Sequence, residues 1–287
     1  MYRVLMNYPW QQQQWSHVTQ QYQQQRLPHA FLFTGVEGLG QLDFAQALAQ
    51  LVLCDQPNTH ACGHCRQCHL FQTGGHPDFY CVAPEATSKV IKIEQIRDLI
   101  AKTIKTPQLA KSQVVVINTA EQMHIKAANA LLKTLEEPNG DVLFILINHR
   151  QGSVPITIAS RCQKLHFYID DQTAAASWLK QNCNADSATI LLKIADGAPL
   201  RAKALSEKSI LQLRDQLLKK LVGIYNGDNP VDSIDTLLKQ DVGDILLLLR
   251  LIIQDARKCQ LGVILENWTN SDCAYDLKQL AKSMSTT

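Results

Sequence analysis

The amino-acid sequence predicts an α/β fold with a parallel sheet. Short apolar runs alternate with segments in which apolar residues recur at helical spacing. Several of these runs are apolar at every position, as is typical of parallel strands that are covered on both faces. A glycine-rich loop also joins the first apolar run to a long helical segment. Strands that alternate with helices form a doubly wound parallel sheet, and we expect that architecture here.

The composition narrows the function classes. A chain of 287 residues accommodates about two domains, or three small ones. The formal net charge of +2 disfavours a free-standing nucleic-acid-binding protein, because phosphate-tracking surfaces are usually strongly basic. The N-terminus lacks the apolar core of a signal peptide, and the longest apolar segment, residues 245–253, is too short for a membrane span. We therefore expect a cytoplasmic protein with no membrane partner.

The N-terminal stretch is rich in glutamine and contains Trp10 and Trp15. It predicts a mostly solvated helix that is anchored by its aromatic side chains, with a prion-like segment as the alternative. The apolar run at residues 30–33 then predicts the first strand of the sheet, which leads directly into the glycine-rich loop.

The glycine-rich loop reads GVEGLGQL from Gly35 onward. A working phosphate loop has the pattern G-x-x-x-x-G-K-S/T, in which backbone N–H groups hold the phosphates, the lysine reaches them and the hydroxyl binds Mg²⁺. Gly35, Gly38 and Gly40 supply the frame, but Gln41 replaces the lysine and Leu42 replaces the hydroxyl residue. The sequence thus predicts a degenerate phosphate loop. Taken alone, the loop is equally consistent with a glycine turn that caps a helix.

Four cysteines after the loop helix have the spacing of a zinc site. Cys54 ends the helical segment, and two successive C-x-x-C steps place Cys62, Cys65 and Cys68 in one tight knuckle. Four thiolates fill a tetrahedral shell and leave no position for water, so we expect one structural Zn²⁺. Reduced free thiols and a redox C-x-x-C are the alternatives. Three nearby histidines compete as ligands: His60, His64 and His69.

The remaining sheet elements follow in order. Apolar runs predict strands at residues 79–82, 114–117, 142–147 and 165–168. Helical periodicity predicts a helix that includes residues 91–100 and another over residues 121–136. The odd number of cysteines, nine, and the missing export signal favour metal binding over disulfides.

The run at residues 114–117 lies where phosphate-loop enzymes carry the acidic residues that hold Mg²⁺ and orient water. Asn118 and Thr119 follow it instead. Glu121 is interpreted as an N-terminal residue of the next helix, with a catalytic acid as the alternative. The lysine and the hydroxyl residue of a phosphate loop and the acidic residues at the strand end are therefore all absent from the expected positions. We expect no functional ATP site in this chain.

Two segments, ALLKTLEEP at residues 130–138 and SRC at residues 160–162, resemble the clamp-loader subunits of bacterial DNA polymerase III. The degenerate loop, the four cysteines and the HPD at residues 76–78 narrow the resemblance to subunits of the delta-prime type. The resemblance implies an AAA+ module. Its parts would be a RecA-like domain at 1–168 with a zinc module at 54–68, a helical lid at 169–207 and a helical collar at 208–287.

The resemblance also implies an arginine finger at Arg161, which would act in trans on the nucleotide of a neighbouring subunit; the alternative for Arg161 is a structural ion pair. Ser160 and Cys162 would serve packing and local hydrogen bonding. Asn148 and Arg201 match the family's sensor positions loosely.

The implied partners are the tau/gamma motor subunits and the delta subunit in a heteropentamer, with the sliding clamp and primer-template DNA reached through the complex. The chain would not be an ATPase itself but part of the polymerase III holoenzyme, a nucleotidyltransferase. Two other functions stay open: an active phosphate-loop ATPase of DNA metabolism, and a stand-alone zinc-knuckle nucleic-acid-binding protein.

Overall fold

The structure is a computed structural model that describes residues 8–85, 88–138, 140–150, 152–183, 187–229 and 241–283. Its internal contacts divide the chain into two units, residues 1–171 and 172–287. The finer division of the second unit into a lid and a collar stays a prediction. Parts of the predicted collar, residues 230–240 and 284–287, lie outside the described residues.

A five-stranded parallel sheet forms the centre of the first unit, in the order β2-β3-β4-β1-β5. The central strands β1, β3 and β4 are buried along almost their whole length, because helices cover both faces. The predicted α/β fold with a parallel sheet is confirmed. The strands are β1 (Ala30–Thr34), β2 (Phe79–Val82), β3 (Gln113–Ile117), β4 (Val142–Asn148) and β5 (Gln163–His166).

Six α-helices lie in the described part of the first unit. The predicted N-terminal helix and the helix after the glycine loop are both present, and Trp10 and Trp15 are buried as anchors. The helices are α1 (Gln12–Gln23), α2 (Gln41–Leu53), α3 (Arg66–Gln72), α4 (Ile93–Thr103), α5 (Ile125–Glu136) and α6 (Ile156–Ala159), and short 3-10 turns cover Pro9–Gln11 and Ala120–Gln122.

Two predicted helix starts were wrong. Glu121 does not begin α5; it lies in a separate 3-10 turn that follows Thr119, whose φ of 56° interrupts a continuous helix. His124 then caps α5 by accepting a hydrogen bond from the Lys126 N–H. Ile91 also lies outside its helix, because it pairs with Met123 in an isolated parallel bridge.

The last strand is shorter than predicted. It ends at His166, and the next residue, Phe167, turns its side chain into the core. There its ring packs against Phe33 and Phe44, with ring centroids 5.2 and 5.0 Å away. An aromatic ring in such contacts contributes more than its buried area alone, so packing rather than strand pairing places Phe167.

The described part of the second unit is helical. One ion pair joins residues that are far apart in its sequence: Arg214 is almost fully buried and donates two hydrogen bonds to the partly exposed Asp272. Across the described residues, no helix is both long and apolar enough to cross a membrane. The described helices are α7 (Gln172–Asn182), α8 (Ala188–Ile194), α9 (Pro199–Glu207), α10 (Ile210–Tyr225), α11 (Val242–Gln260) and α12 (Ala274–Ser283).

Candidate functional site

The glycine-rich loop lies between β1 and α2, at the carboxyl end of the sheet. The Gly35 N–H donates to the Asn148 carbonyl at 3.3 Å, which fixes the start of the loop to β4. Gly38 and Gly40 have φ values of 92° and 84°, and Gly40 is the N-cap of α2. The backbone therefore has the strand–loop–helix course that the sequence predicts for a phosphate loop.

The side chain of Gln41 folds back onto this loop. Only 1% of Gln41 is exposed, and its Nε2 donates to the Val36 carbonyl at 2.9 Å. The residue that replaces the lysine thus binds the loop's own backbone instead of pointing outward. Leu42 is partly buried and offers no oxygen to a metal ion.

The segment before α1 covers the same loop from outside. The Trp10 Nε1 and the Gln11 Nε2 both donate to the Leu39 carbonyl, at 3.0 and 2.6 Å. The Tyr8 hydroxyl donates to Asp43 Oδ2 at 2.8 Å, and burial together with this hydrogen bond raises the pKa of Tyr8. Three side chains from one segment therefore contact the degenerate loop and the first turn of α2.

Two polar side chains at or near the carboxyl ends of β3 and β4 form hydrogen bonds within the protein. Asn148 Oδ1 accepts hydrogen bonds from the Arg150 N–H at 3.1 Å and the Ser153 hydroxyl at 3.0 Å. Both carboxylate oxygens of Glu121 lie 3.4 Å from the His149 N–H. These contacts give Asn148 and Glu121 structural roles at the sheet edge.

Arg161 follows α6 and is partly exposed, with 34% of its side chain accessible. Its Nη1 donates to the Thr157 carbonyl at 2.7 Å, and its Nη2 is paired with the Glu136 carboxylate at the end of α5. The ion pair that sequence reasoning left open for Arg161 is thus present in this chain. Its trans-acting role stays a prediction.

The neighbours of Arg161 have ordinary local roles. The Ser160 hydroxyl donates to the Thr157 carbonyl at 3.1 Å. Cys162 is buried, and burial raises the pKa of its thiol to about 11. Arg201, the loose match to a sensor position, pairs with Asp196 at 3.3 Å in the second unit.

The four predicted zinc ligands come together in the first unit. Their sulfur atoms all lie within 4.8 Å of one another, and the pairs Cys54–Cys65 and Cys62–Cys68 are each 3.9 Å apart. A tetrahedral site with Zn–S bonds of about 2.3 Å has sulfur–sulfur edges of about 3.8 Å. The cluster therefore fits a four-thiolate zinc site. Within the described residues, no histidine belongs to the metal-binding group.

Backbone N–H groups support the sulfur atoms. Cys54 ends α2 and Cys65 caps α3, so two helix ends set the positions of two ligands. The N–H groups of Cys62, Cys65 and Cys68 each point to the sulfur of the preceding cysteine, at 3.3, 3.3 and 3.4 Å. The His64 N–H lowers the pKa of Cys62 to about 6, whereas burial raises the pKa of Cys54 and Cys68. The donors favour thiolates, the form in which cysteine binds zinc.

A buried polar network connects the cysteine knuckle to the sheet. Asp78 is fully buried, and its carboxylate accepts the N–H groups of residues 108–110 at 2.6, 2.8 and 2.9 Å. His76 accepts the Asp78 N–H and lies 3.0 Å from Gln67 Oε1 on α3. Gln67 Nε2 in turn donates to the Leu109 carbonyl at 3.1 Å. Sequence reasoning noted the HPD motif for resemblance alone and missed this role, because residues 108–110 carry no signal of the contact.

Two family models match the chain. One describes the delta subunit of DNA polymerase III and matches residues 10–171; the other describes the C-terminal part of that subunit and matches residues 208–287. A gamma-subunit-related protein of DNA polymerase III from Thermotoga maritima is a structural neighbour, 17% identical, with a TM-score of 0.43 and coverage of 85% of this chain and 72% of that one.

Relatives cover most of the chain. The DNA polymerase III subunit delta' of Pseudomonas aeruginosa is 35% identical over 82% of this chain and 68% of its own length. The subunit delta' of Haemophilus influenzae is 31% identical over 96% of this chain and 88% of its own length. These matches confirm the resemblance that the two sequence segments, the degenerate loop and the cysteine knuckle indicate. The chain belongs to the family of DNA polymerase III delta-prime subunits.

Proposed function

We propose that this chain is a non-hydrolysing subunit of the DNA polymerase III clamp loader that supplies Arg161 to the nucleotide site of a neighbouring motor subunit. The observation that carries the first part is the filled phosphate loop. Gln41 occupies the loop from inside, and Tyr8, Trp10 and Gln11 cover it from outside. A nucleotide would have to displace these contacts without a lysine or a metal ligand to compensate.

The chemistry of hydrolysis supports the same conclusion. Phosphoryl transfer in this class of enzyme depends on a lysine at the phosphates, on Mg²⁺ and on a residue that orients water. Gln41, Leu42 and Asn118 stand at the corresponding positions. Glu121, the acid that follows, is engaged with the His149 N–H. The chain's own residues therefore do not provide the complete set of catalytic groups that ATP hydrolysis requires.

Arg161 has the properties of a finger. Its guanidinium has a planar fork of N–H donors that matches phosphate oxygens. A third of the side chain is exposed, and it lies on the short segment between α6 and β5. A finger supplied in trans by another protein is worth about 10³ to 10⁵ in rate.

The partners that we propose are the tau/gamma motor subunits and the delta subunit in a heteropentamer, with the clamp and primer-template DNA bound through the complex. The near-neutral net charge of +2 is consistent with DNA contacts that are shared among subunits. Residues 208–287, which the family's C-terminal model matches, would form the collar that holds the ring together. Cys54, Cys62, Cys65 and Cys68 would hold one structural zinc ion.

ATPase measurements on a reconstituted clamp loader test this function. The clamp- and DNA-stimulated turnover is compared for the unchanged chain, Arg161→Ala and the control Arg97→Ala, which removes an exposed arginine on α4. We expect a large fall with Arg161→Ala, of about 10³-fold at the affected site, and little change with Arg97→Ala. Assembly is verified for each complex by size-exclusion chromatography.

The isolated chain provides the second arm of the experiment. We expect neither ATP binding nor Mg²⁺-dependent hydrolysis. Hydrolysis by the chain alone would refute the proposal in favour of an active phosphate-loop ATPase. Steeply salt-dependent DNA binding by the chain alone would instead favour a zinc-knuckle nucleic-acid-binding protein.

A further inference from the structure

The guanidinium of Arg161 contacts two different structural elements, and a longer hydrogen bond from its Nη1 reaches the Ser160 hydroxyl oxygen at 3.5 Å. The Thr157 carbonyl belongs to α6 and accepts from Nη1 at 2.7 Å. The Glu136 carboxylate belongs to the last residue of α5 and is paired with Nη2. Because the two contacts use different nitrogens of one rigid plane, together they favour one position and one orientation of the group.

We propose that Glu136 is a positioning residue for Arg161, which holds the guanidinium ready for the phosphate of a neighbouring subunit. This inference rests on the proposed function, because it requires Arg161 to act on that phosphate. Arginine has a long, flexible side chain, and ordering it during the reaction costs conformational entropy. That cost reduces the stabilisation that the guanidinium gives to the phosphate. A partner that orders the side chain beforehand removes that loss.

Arg161 must be able to contact a phosphate as well as Glu136, and the exposure of the ion pair allows this. The side chains of Arg161 and Glu136 are 34% and 47% exposed. Water screens an ion pair of this kind, so it is weak and can open or share its donors. A guanidinium has five N–H donors, and the contacts with Thr157 and Glu136 leave others for a ligand. The pair therefore orders Arg161 without withdrawing it from a phosphate.

The end of α5 reinforces the position. Glu136 is the last residue of this helix, where the unpaired carbonyl groups carry partial negative charge. A cation at this place is favoured by the helix as well as by the carboxylate. Glu137, the next residue, is also exposed, and among the described residues the ion pair of Arg161 is with Glu136 alone, so Glu137 provides a matched control.

The test is a double-mutant cycle in the reconstituted clamp loader, with steady-state ATPase kinetics as the readout. We expect Glu136→Ala to lower kcat about tenfold, a coupling within the range for residues in contact, with KM for ATP unchanged. Glu136→Gln keeps an acceptor oxygen and should fall between Glu136→Ala and the unchanged chain. Glu137→Ala should leave kcat unchanged.

The comparison of Arg161→Ala with the double variant distinguishes a positioning role of Glu136 from a general structural effect. Adding Glu136→Ala to Arg161→Ala should lower kcat no further, since Glu136 acts through Arg161. Additive losses, or an equal loss with Glu137→Ala, would overturn the inference. Circular dichroism melting and size-exclusion chromatography verify that each variant is folded and assembled. If Glu136→Ala does not fold or assemble, the comparison of Glu136→Gln with the unchanged chain replaces it.

The two failures are distinguishable. Full activity with Arg161→Ala would refute the proposed function, and this inference with it. A large loss with Arg161→Ala but none with Glu136→Ala would refute this inference alone.

Discussion

The ring of Tyr8 lies against the α-carbon of Gly40, the residue that begins α2 in the degenerate phosphate loop. A Cβ atom at Gly40 would lie 2.7 Å from Cε2 and 2.9 Å from Cδ2 of Tyr8. The Tyr8 hydroxyl reaches past this glycine to Asp43. The glycine that makes room for phosphate in a working loop thus makes room for an aromatic ring of the same chain.

Gly40→Ala should therefore destabilise the first unit. Gly40 has a φ of 84°, so alanine is strained there, and its Cβ would collide with Tyr8. Gly140→Ala is the control, because Gly140 has a similar φ of 81° and open space around it. We expect Gly40→Ala to lower the free energy of unfolding about 1–3 kcal/mol more than the control does, measured by urea denaturation. Equal losses would show that Tyr8 does not pack on this glycine.

Replacement of a zinc ligand should loosen the cysteine knuckle. Cys65→Ser removes one of four thiolates and the cap of α3, so bound zinc should decrease and the melting temperature should fall. Cys81→Ser is the control, because Cys81 lies on β2 outside the cluster. Zinc is measured by atomic absorption and melting by circular dichroism. Full zinc content in Cys65→Ser would argue against a four-thiolate site.

Removal of the Asp78 carboxylate should be strongly destabilising. Asp78→Ala deprives three successive backbone N–H groups of their acceptor inside the protein. We expect a loss of about 3 kcal/mol in the free energy of unfolding. Asp98→Ala, a change of an exposed residue on α4, should stay within about 0.5 kcal/mol. Urea denaturation measures both, and similar small losses would mean that water replaces the carboxylate.

The stability of the first unit should depend on pH through His76. Burial lowers the pKa of His76 in the folded protein below its ordinary value of 6.5. The unfolded chain therefore binds the proton more readily, so the contribution is present above pH 6.5 and is lost as the pH falls through the lower folded pKa. His76→Gln should flatten the pH dependence of the free energy of unfolding on the acid side of pH 6.5. If the free energy of unfolding of His76→Gln changed with pH as steeply as that of the unchanged chain, other titratable groups, such as the cysteines, would be responsible.

Local patterns in the sequence predict most of the fold. The central strands were predicted because β1, β3 and β4 are apolar at nearly every position, which is the signature of burial on both faces. The cysteine knuckle was predicted because metal ligation imposes a short, regular spacing. The start of α5 was wrong, because the αL conformation of Thr119 is not visible in the apolar period.

The contacts that define the site could not be predicted in the same way. Tyr8 and Asp43 are 35 positions apart, Arg161 and Glu136 are 25 apart, and Asp78 and Gln108 are 30 apart. No periodicity relates such residues, since their proximity depends on the path of the chain around the sheet. The sequence by itself determined the strand–loop–helix frame, the missing phosphate-binding side chains and the cysteine ligands, because short-range spacing encodes them. Only the tertiary structure decided what fills the loop and what holds Arg161, because packing brings distant segments together.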